Sequence, residues 1–191
     1  EILVPFPLES SLSGVKKSLL PDEKLWYRKT FNIPASWKGQ RVLLHFGAVD
    51  WKTNVWVNGK QVGNYVGGYT PFTFDITEAL TNSGEQEMVI SVWDPTDKGF
   101  QPAGKQTLSP RGIWYTSTSG IWQTVWLEPV PLISIQDIKM DTDIDRKTVS
   151  VSVDGNKSLS GFRIDATVYE KGKKVATGNG IPGKELILNL N

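Results

Sequence analysis

Cysteine is absent and histidine occurs once, at His45, in a chain of 191 residues. Those two scarcities exclude a disulfide framework, thiolate metal sites and the His/Cys clusters on which zinc sites mainly draw. A zinc enzyme is therefore not expected. No apolar stretch approaches the roughly 20 residues that span a bilayer as a helix, and Glu1 to Pro7 lacks the basic region and cleavage site of a secretory leader. If the protein is exported, its signal is expected to have been removed already. Charge of one sign is missing too: 21 basic and 20 acidic residues leave a net charge of +1, with no footprint for nucleic acid or an anionic membrane surface. Neither G-x-G-x-x-G nor the phosphate-cradling G-x-x-x-x-G-K-[ST] occurs, so no nucleotide cofactor is expected, and no G-x-S-x-G elbow accompanies His45. No cofactor, nucleic-acid partner or membrane partner follows from these residues. Compartment stays open, because a cysteine-free chain suits cytoplasm and periplasm alike.

What is present is aromatic and turn-rich: eight Trp, five Tyr, seven Phe and 18 Gly. Period-2 segments bounded by Gly, Pro, Asn and Asp recur, and no window of ten residues shows a 3.6 period, which predicts an all-β protein. Lys24 to Ile33 places Leu25, Tyr27, Phe31 and Ile33 on one face, and Arg41 to Gly47 alternates Val42, Leu44 and Phe46 with Leu43 and His45. His45 reads as an ordinary strand residue. Trp51 to Val57 meets Asn58-Gly59, a pair suited to the two positive φ angles of a type I′ turn, and Lys60 to Tyr65 can return as a hairpin. Further strands are predicted over Pro71 to Thr77 and Glu87 to Asp94, separated by a short helical turn at Thr77 to Leu80.

Between Asp94 and Gly120 the alternation breaks into a segment punctuated by Pro95, Gly99, Pro102, Gly104, Pro110 and Gly112. That is too long for an ordinary connection, and long loops on a rigid β scaffold commonly carry binding. A strand over Ile121 to Glu128 closes a first domain, and Pro129-Val-Pro131 reads as a stiff linker, so a boundary is expected near residue 130. Beyond it, Ile133 to Met140, Thr148 to Asp154, Gly161 to Glu170, Lys173 to Thr177 and Lys184 to Leu190 read as strands. Val149, Val151 and Val153 alternate cleanly, as do Phe162, Ile164, Ala166 and Val168. These strands look immunoglobulin-like, but such a sandwich takes about seven strands over about 100 residues and residues 131–191 supply 61. A partial domain is expected.

Several runs carry a closer likeness: Ile2-Leu-Val-Pro-Phe6 with Glu9-Ser10 and Leu12-Ser-Gly14; Leu25-Trp-Tyr-Arg28; Gly47-Ala-Val-Asp-Trp51; and Val55-Trp-Val-Asn-Gly59. Gly67-Gly-Tyr-Thr-Pro-Phe72, Asp94-Pro-Thr-Asp97 and Ser119-Gly-Ile-Trp122 leading into Val125-Trp-Leu-Glu128 continue it in the same order. Over residues 1 to 131 the chain resembles the sugar-binding domain of glycoside hydrolase family 2, the β-galactosidase and β-glucuronidase family. The resemblance implies a jelly-roll (galactose-binding-like) sandwich over residues 1–130, then a partial immunoglobulin-like sandwich over 131–191. It further implies a (β/α)8 catalytic barrel in the same parent chain, carrying two glutamates that work by retaining chemistry about 5 to 5.5 Å apart. Neither glutamate is expected here, since the family's acid/base residue lies in an Asn-Glu pair and no such pair occurs. No match to the family's first strand, an Asn-Leu-Asn-Gly-Leu-Trp-like stretch, is found either. The implied protein is an enzyme of carbohydrate metabolism that hydrolyses O-glycosidic bonds, periplasmic or extracellular, with this portion inactive alone.

By position in the family pattern, Asp50 corresponds to a loop Asp or Asn that reaches the sugar bound in the barrel, with Trp51 beside it; the competing reading is an Asp that caps its own turn. The segment Gly104-Lys-Gln106 to Pro110-Arg-Gly-Ile-Trp-Tyr115 is the second candidate. Trp114 or Tyr115 could stack on a sugar ring, and Lys105, Gln106 and Arg111 could bond hydroxyls or a carboxylate. The Asp that galactosidases and glucuronidases of the family often place before the Ser-Gly-Ile-like motif is replaced here by Thr116-Ser-Thr118. Two alternatives compete with the glycosidase: a stand-alone lectin-like carbohydrate-binding module, and a fibronectin-like adhesion or scaffold protein. The first has no need of the Pro-linked second domain, and the second would lack the Gly-Ala-Val-Asp-Trp and Ser-Gly-Ile-Trp signatures.

Overall fold

Sixteen strands and three single-turn 3-10 helices make up the computed structural model, which describes residues 1–190. The chain is all-β, as its period-2 patterning requires, and it divides into two compact units, Glu1–Pro129 and the residues from Val130 on.

The first unit is a jelly-roll-type sandwich. Its four-stranded sheet has the order β1-β7-β4-β5, from β1 (Leu25–Phe31), β7 (Gln86–Trp93), β4 (Lys52–Val57) and β5 (Lys60–Val66). The facing three-stranded sheet is ordered β11-β2-β6, from β11 (Val125–Val130), β2 (Arg41–Phe46) and β6 (Phe72–Asp75). Alternation sends Tyr27, Val55, Val57, Ile90 and Val92 of one sheet and Val42, Leu44, Phe46 and Phe72 of the other into a single buried core. Phe46 is fully buried and stacks on Phe72 at 4.8 Å. At about 25 cal/mol per Å² of apolar surface, each such side chain contributes roughly 1.5–3 kcal/mol. The hairpin forms as its turn residues dictate, with Asn58 at φ 49° and Gly59 at φ 78°. Thr77–Ala79 is the expected helical turn.

The expected strand into the hairpin forms as β4, preceded by an unexpected two-residue strand, β3 (Val49–Asp50), whereas the expected strand over Ile121 to Glu128 is split, residues 122–124 separating β10 (Gly120–Ile121) from β11. The reason is a change of partner: β10 pairs with β3, whereas β11 joins the β2 sheet, with Gly47 N–H donating to the Thr124 carbonyl at 2.9 Å. The long segment after Asp94 holds β8 (Gln106–Thr107) and β9 (Tyr115–Thr116), a parallel pair too short to leave a periodic trace in sequence.

The second unit is a smaller immunoglobulin-like sandwich: β12 (Ile135–Asp143), β13 (Thr148–Gly155) and β16 (Leu186–Asn189) in one sheet, and β14 (Ile164–Glu170) with β15 (Lys173–Gly180) in another. Among the described residues its buried core is Val151, Val153 and Leu188, with Val149, Ile164, Ala166 and Val168 partly covered. Phe162, expected on the inner face, is exposed because it precedes β14 at the end of a turn. Along β12 nearly every residue is exposed, including Ile135, Ile138 and Met140.

Candidate functional site

Asp50 ends β3, paired with Gly120 of β10, and is 3% exposed. Asp50, expected in a loop, lies instead on a short strand, with its carboxylate buried in the sandwich. The turn-capping alternative fits no better. Asp75 and Asp94 each accept the backbone N–H two residues on, from Thr77 at 3.0 Å and Thr96 at 2.8 Å, whereas Asp50 Oδ1 is buried with no hydrogen-bond partner. Its neighbour Gly68 explains the fit, since a Cβ there would lie 2.7 Å from Asp50 Oδ1. The Asp50–Trp51 peptide is cis, and Trp51 is half-buried with its carbonyl accepting the Gly67 N–H at 3.3 Å.

Two more buried carboxylates surround this point. Asp94 Oδ2 accepts from Ser119 Oγ at 2.7 Å, and Glu9 accepts from Ser119 N–H at 2.9 Å and from Ser117 Oγ at 3.3 Å. Ser119 therefore bridges residues 85 positions apart, Glu9 and Asp94, through one backbone and one side-chain donor. Burial, with the negative charge of Asp94 and then Glu9, pushes the Asp50 carboxyl up to about 7, against the opposing pull of the Gln106 amide. Asp94 is raised as well, chiefly by burial, despite its bonds from Ser119 and Thr96. Tyr27, whose hydroxyl accepts the Ile121 N–H at 3.1 Å, is pushed up to about 12 by the same burial. These carboxylates lack the open approach that a glycosidic oxygen would need.

Gln106 is the bridge from this buried layer to the surface. Its Oε1 accepts the Thr118 N–H at 2.6 Å, its Nε2 donates to Tyr69 Oη at 3.3 Å, and Tyr69 lies edge-on to Trp122 at 6.1 Å. Trp122 Nε1 in turn donates to the Gly68 carbonyl at 2.8 Å. From Gln106 the β8–β9 pairing brings Tyr115 alongside, with Tyr115 N–H bonded to the Lys105 carbonyl at 2.8 Å and Trp114 N–H to that of Arg111 at 3.0 Å. Lys105 Nζ sits 6.0 Å from the centre of the Tyr115 ring. Lys105, Arg111, Trp114 and Tyr115 are all exposed, Tyr115 at 64%, on backbone that is pinned. The candidates thus fall into two layers, buried Asp50 with half-buried Gln106 and Trp51 below, and four solvent-facing side chains above. Sequence reasoning assigned no role to Glu9, Ser117, Ser119, Gly68, Tyr69 or Trp122. Apart from Ser117, which lies in none of the family-like runs, their only signal was membership of those runs, because the contacts that join them are far apart in the chain.

His45 lies on β2, stacked on Trp126 at 4.8 Å, with Nδ1 2.8 Å from Thr73 Oγ1 and Nε2 3.0 Å from Glu128 Oε2 without hydrogen-bond alignment. Among the described residues no group of three His, Cys, Asp or Glu side chains is arranged to hold a metal ion, and no helix is long and apolar enough to cross a membrane.

Residues 13–131 match the family model described as glycosyl hydrolases family 2, sugar binding domain. The chain belongs to that family. It is 28% identical to a β-glucuronidase of Paenibacillus borealis, covering 94% of this chain and 33% of that protein, and 29% identical to a β-galactosidase of Thermoanaerobacter pseudethanolicus, covering 77% and 20%. It also shares its fold with the β-glucuronidase of Ruminococcus gnavus, at a TM-score of 0.74 and 21% identity, over 98% of this chain and 33% of that one. The chain spans about a third or less of the length of these relatives.

Proposed function

We propose that this chain is the sugar-binding, non-catalytic portion of a retaining β-glycosidase, and that it presents the Lys105–Tyr115 face to a β-glycoside held in a catalytic barrel of the same parent chain. The observation that carries the proposal is the layered site, which apart from Glu9 lies within the family-matched residues: a buried carboxylate layer and a pinned loop that displays two aromatic rings and two cations. Trp114 and Tyr115 offer ring faces to the apolar face of a sugar, and Lys105 and Arg111 offer donors to its oxygens. Gln106 fixes the loop from beneath through Thr118 and Tyr69, and the buried, unpartnered Asp50 Oδ1 beside Gly68 is the acceptor available to a sugar hydroxyl. Domains over 1–130 and 131–191 accord with this role, the second being part of an immunoglobulin-like spacer.

Retaining hydrolysis needs two carboxyl groups with access to the glycosidic bond, and the buried trio of Glu9, Asp50 and Asp94 offers none. The purified chain is therefore expected to show no turnover of nitrophenyl β-glucuronide or β-galactoside. Turnover that co-purifies with the chain and disappears on Asp50→Asn or Asp94→Asn would overturn the assignment. In an enzyme that carries this domain, Trp114→Ala is expected to lower kcat/KM by about tenfold, equivalent to about 1.4 kcal/mol of lost contact, with folding unchanged.

A further inference from the structure

The face of the four-stranded sheet that points away from the core carries a feature unrelated to the Lys105–Tyr115 loop. Because Tyr27, Val55, Ile90 and Val92 point inward, their neighbours along β1, β4 and β7 point outward. The strand register then sets them in rows. Trp26, Ser91 and Asn54 lie side by side across three strands; Trp93 and Lys52 form the next row, with Lys24 just before β1. On the other side comes the row of Arg28, Val89 and Trp56. Small residues in the middle and large ones at both ends leave a trough of about 400 Å³ lined by Lys24, Lys52, Asn54, Ser91 and Trp93.

Three properties of the trough point to a ligand. In the rows beside the trough, Trp26 stacks on Trp56 at 5.8 Å with 27° between the rings and remains 58% exposed, so an indole is held in place next to the trough and left accessible. Trp93, which lines the trough, is pinned by its Nε1 bond to the Pro21 carbonyl at 2.7 Å. The floor is polar: Asn54 and Ser91 both line it, with Asn54 Nδ2 donating to Ser91 Oγ at 3.3 Å, and a serine hydroxyl and a side-chain amide each have further hydrogen-bonding capacity. Its cations are free. Arg28 is paired with Glu87 at 2.5 Å, but among the described residues neither Lys24 nor Lys52 forms an ion pair, and the adjacent Glu23 accepts the Leu20 N–H at 3.0 Å.

We propose that this trough is a second carbohydrate site, distinct from the Lys105–Tyr115 face, which binds a short segment of an acidic glycan. The bare indole of Trp26 takes the apolar face of a sugar ring, Asn54 and Ser91 bond its hydroxyls, and Lys24 with Lys52 takes the carboxylate of an adjoining residue. A flat protein partner fits less well, because the trough is polar at its floor and of a volume suited to one or two sugar units. The assignment rests on this sheet face alone and is independent of the role proposed above.

The test is calorimetric titration of the full 191-residue chain with two tetrasaccharides that share a β-1,4 backbone: cellotetraose, and its tetraglucuronate counterpart with a carboxylate on every ring. The acidic tetramer is expected to bind about tenfold more tightly, the ratio that a single added charge-assisted contact supplies, and to weaken as salt is raised. Lys24→Gln with Lys52→Gln, both at exposed positions, should erase that preference, and Trp26→Ala made in the Trp114→Ala chain, in which the Lys105–Tyr115 face is silenced, should remove binding of both tetramers. In Trp114→Ala alone the tenfold, salt-sensitive preference for the acidic tetramer should persist. Equal affinity for the two tetramers would overturn the assignment. So would binding that survives Trp26→Ala in the Trp114→Ala chain, loss of the acidic preference in Trp114→Ala alone, or no binding by chain whose tryptophan emission shows it folded.

Discussion

Where the first unit closes two sheets over a continuous core of thirteen buried apolar residues, the second buries three and leaves most of β12 in solvent. Both read in sequence as alternating strands. The difference shows that alternation specifies which face of a strand is apolar, not whether anything covers it. Phe46 and Phe72 meet across the first core, and Tyr65 stacks on Phe72 from the hairpin at 4.2 Å. Ile138 and Met140 of the second unit follow the same pattern of spacing and stay exposed. All eight tryptophans lie at or before Trp126, so indole emission reports the first unit alone and the two halves can be followed separately.

The sharpest break in the comparison is Phe46→Ala. It removes a fully buried ring, and is expected to cost about 3–5 kcal/mol and to lower the denaturant midpoint read from tryptophan emission. A loss below about 1 kcal/mol would mean that the first core is as loose as the second.

Next in size is a pH effect confined to the first unit. Asp50 has a folded pKa of about 7 against an ordinary 3.8, so the folded state holds a proton that the unfolded state releases. Stability contributed by this group is full below about 4 and is lost as pH rises through 7, by up to about 4 kcal/mol. The raised Asp94 carboxyl acts in the same direction. Asp50→Asn keeps the shape against Gly68 without the titrating charge. Its unfolding midpoint should therefore change less between pH 5 and pH 8 than that of the parent chain, and exceed it at pH 8. Parallel pH profiles would show that Asp50 is not the group responsible.

Leu188→Ala comes third, at about 2–3 kcal/mol, and should be felt only in the second unit. Hydrogen exchange is expected to speed up in β13 and β16, with exchange in β4 and β7 and the tryptophan midpoint unchanged. A matching shift of the tryptophan midpoint would show that the two units unfold as one.

Much of this was legible in the residues. The Asn58-Gly59 hairpin, the β2 alternation and the all-β class follow from turn chemistry and period, and the family from its runs. Less legible was the site. That Asp50 is buried depends on Gly68 lacking a Cβ and on β3 pairing with Gly120, whose φ of 86° sets its Cβ position 2.1 Å from Tyr27 Oη. No local pattern encodes such contacts. Nor could spacing reveal that Ser119 joins Glu9 to Asp94, or that Trp26, Ser91 and Asn54 share one row, since sheet order is a property of pairing across the chain.

The central claim is that the pinned loop from Lys105 to Tyr115 is the face offered to a glycoside, and amide chemical-shift titration of the 191-residue chain with methyl β-glucuronide and methyl β-galactoside tests it most directly. Shifts are expected to centre on residues 105–115, with a Kd weaker than about 1 mM because a half-site lacks the enclosure of a complete pocket, and to disappear in Trp114→Ala. Micromolar affinity, or shifts that leave residues 105–115 unmoved, would contradict the account and favour a self-sufficient lectin.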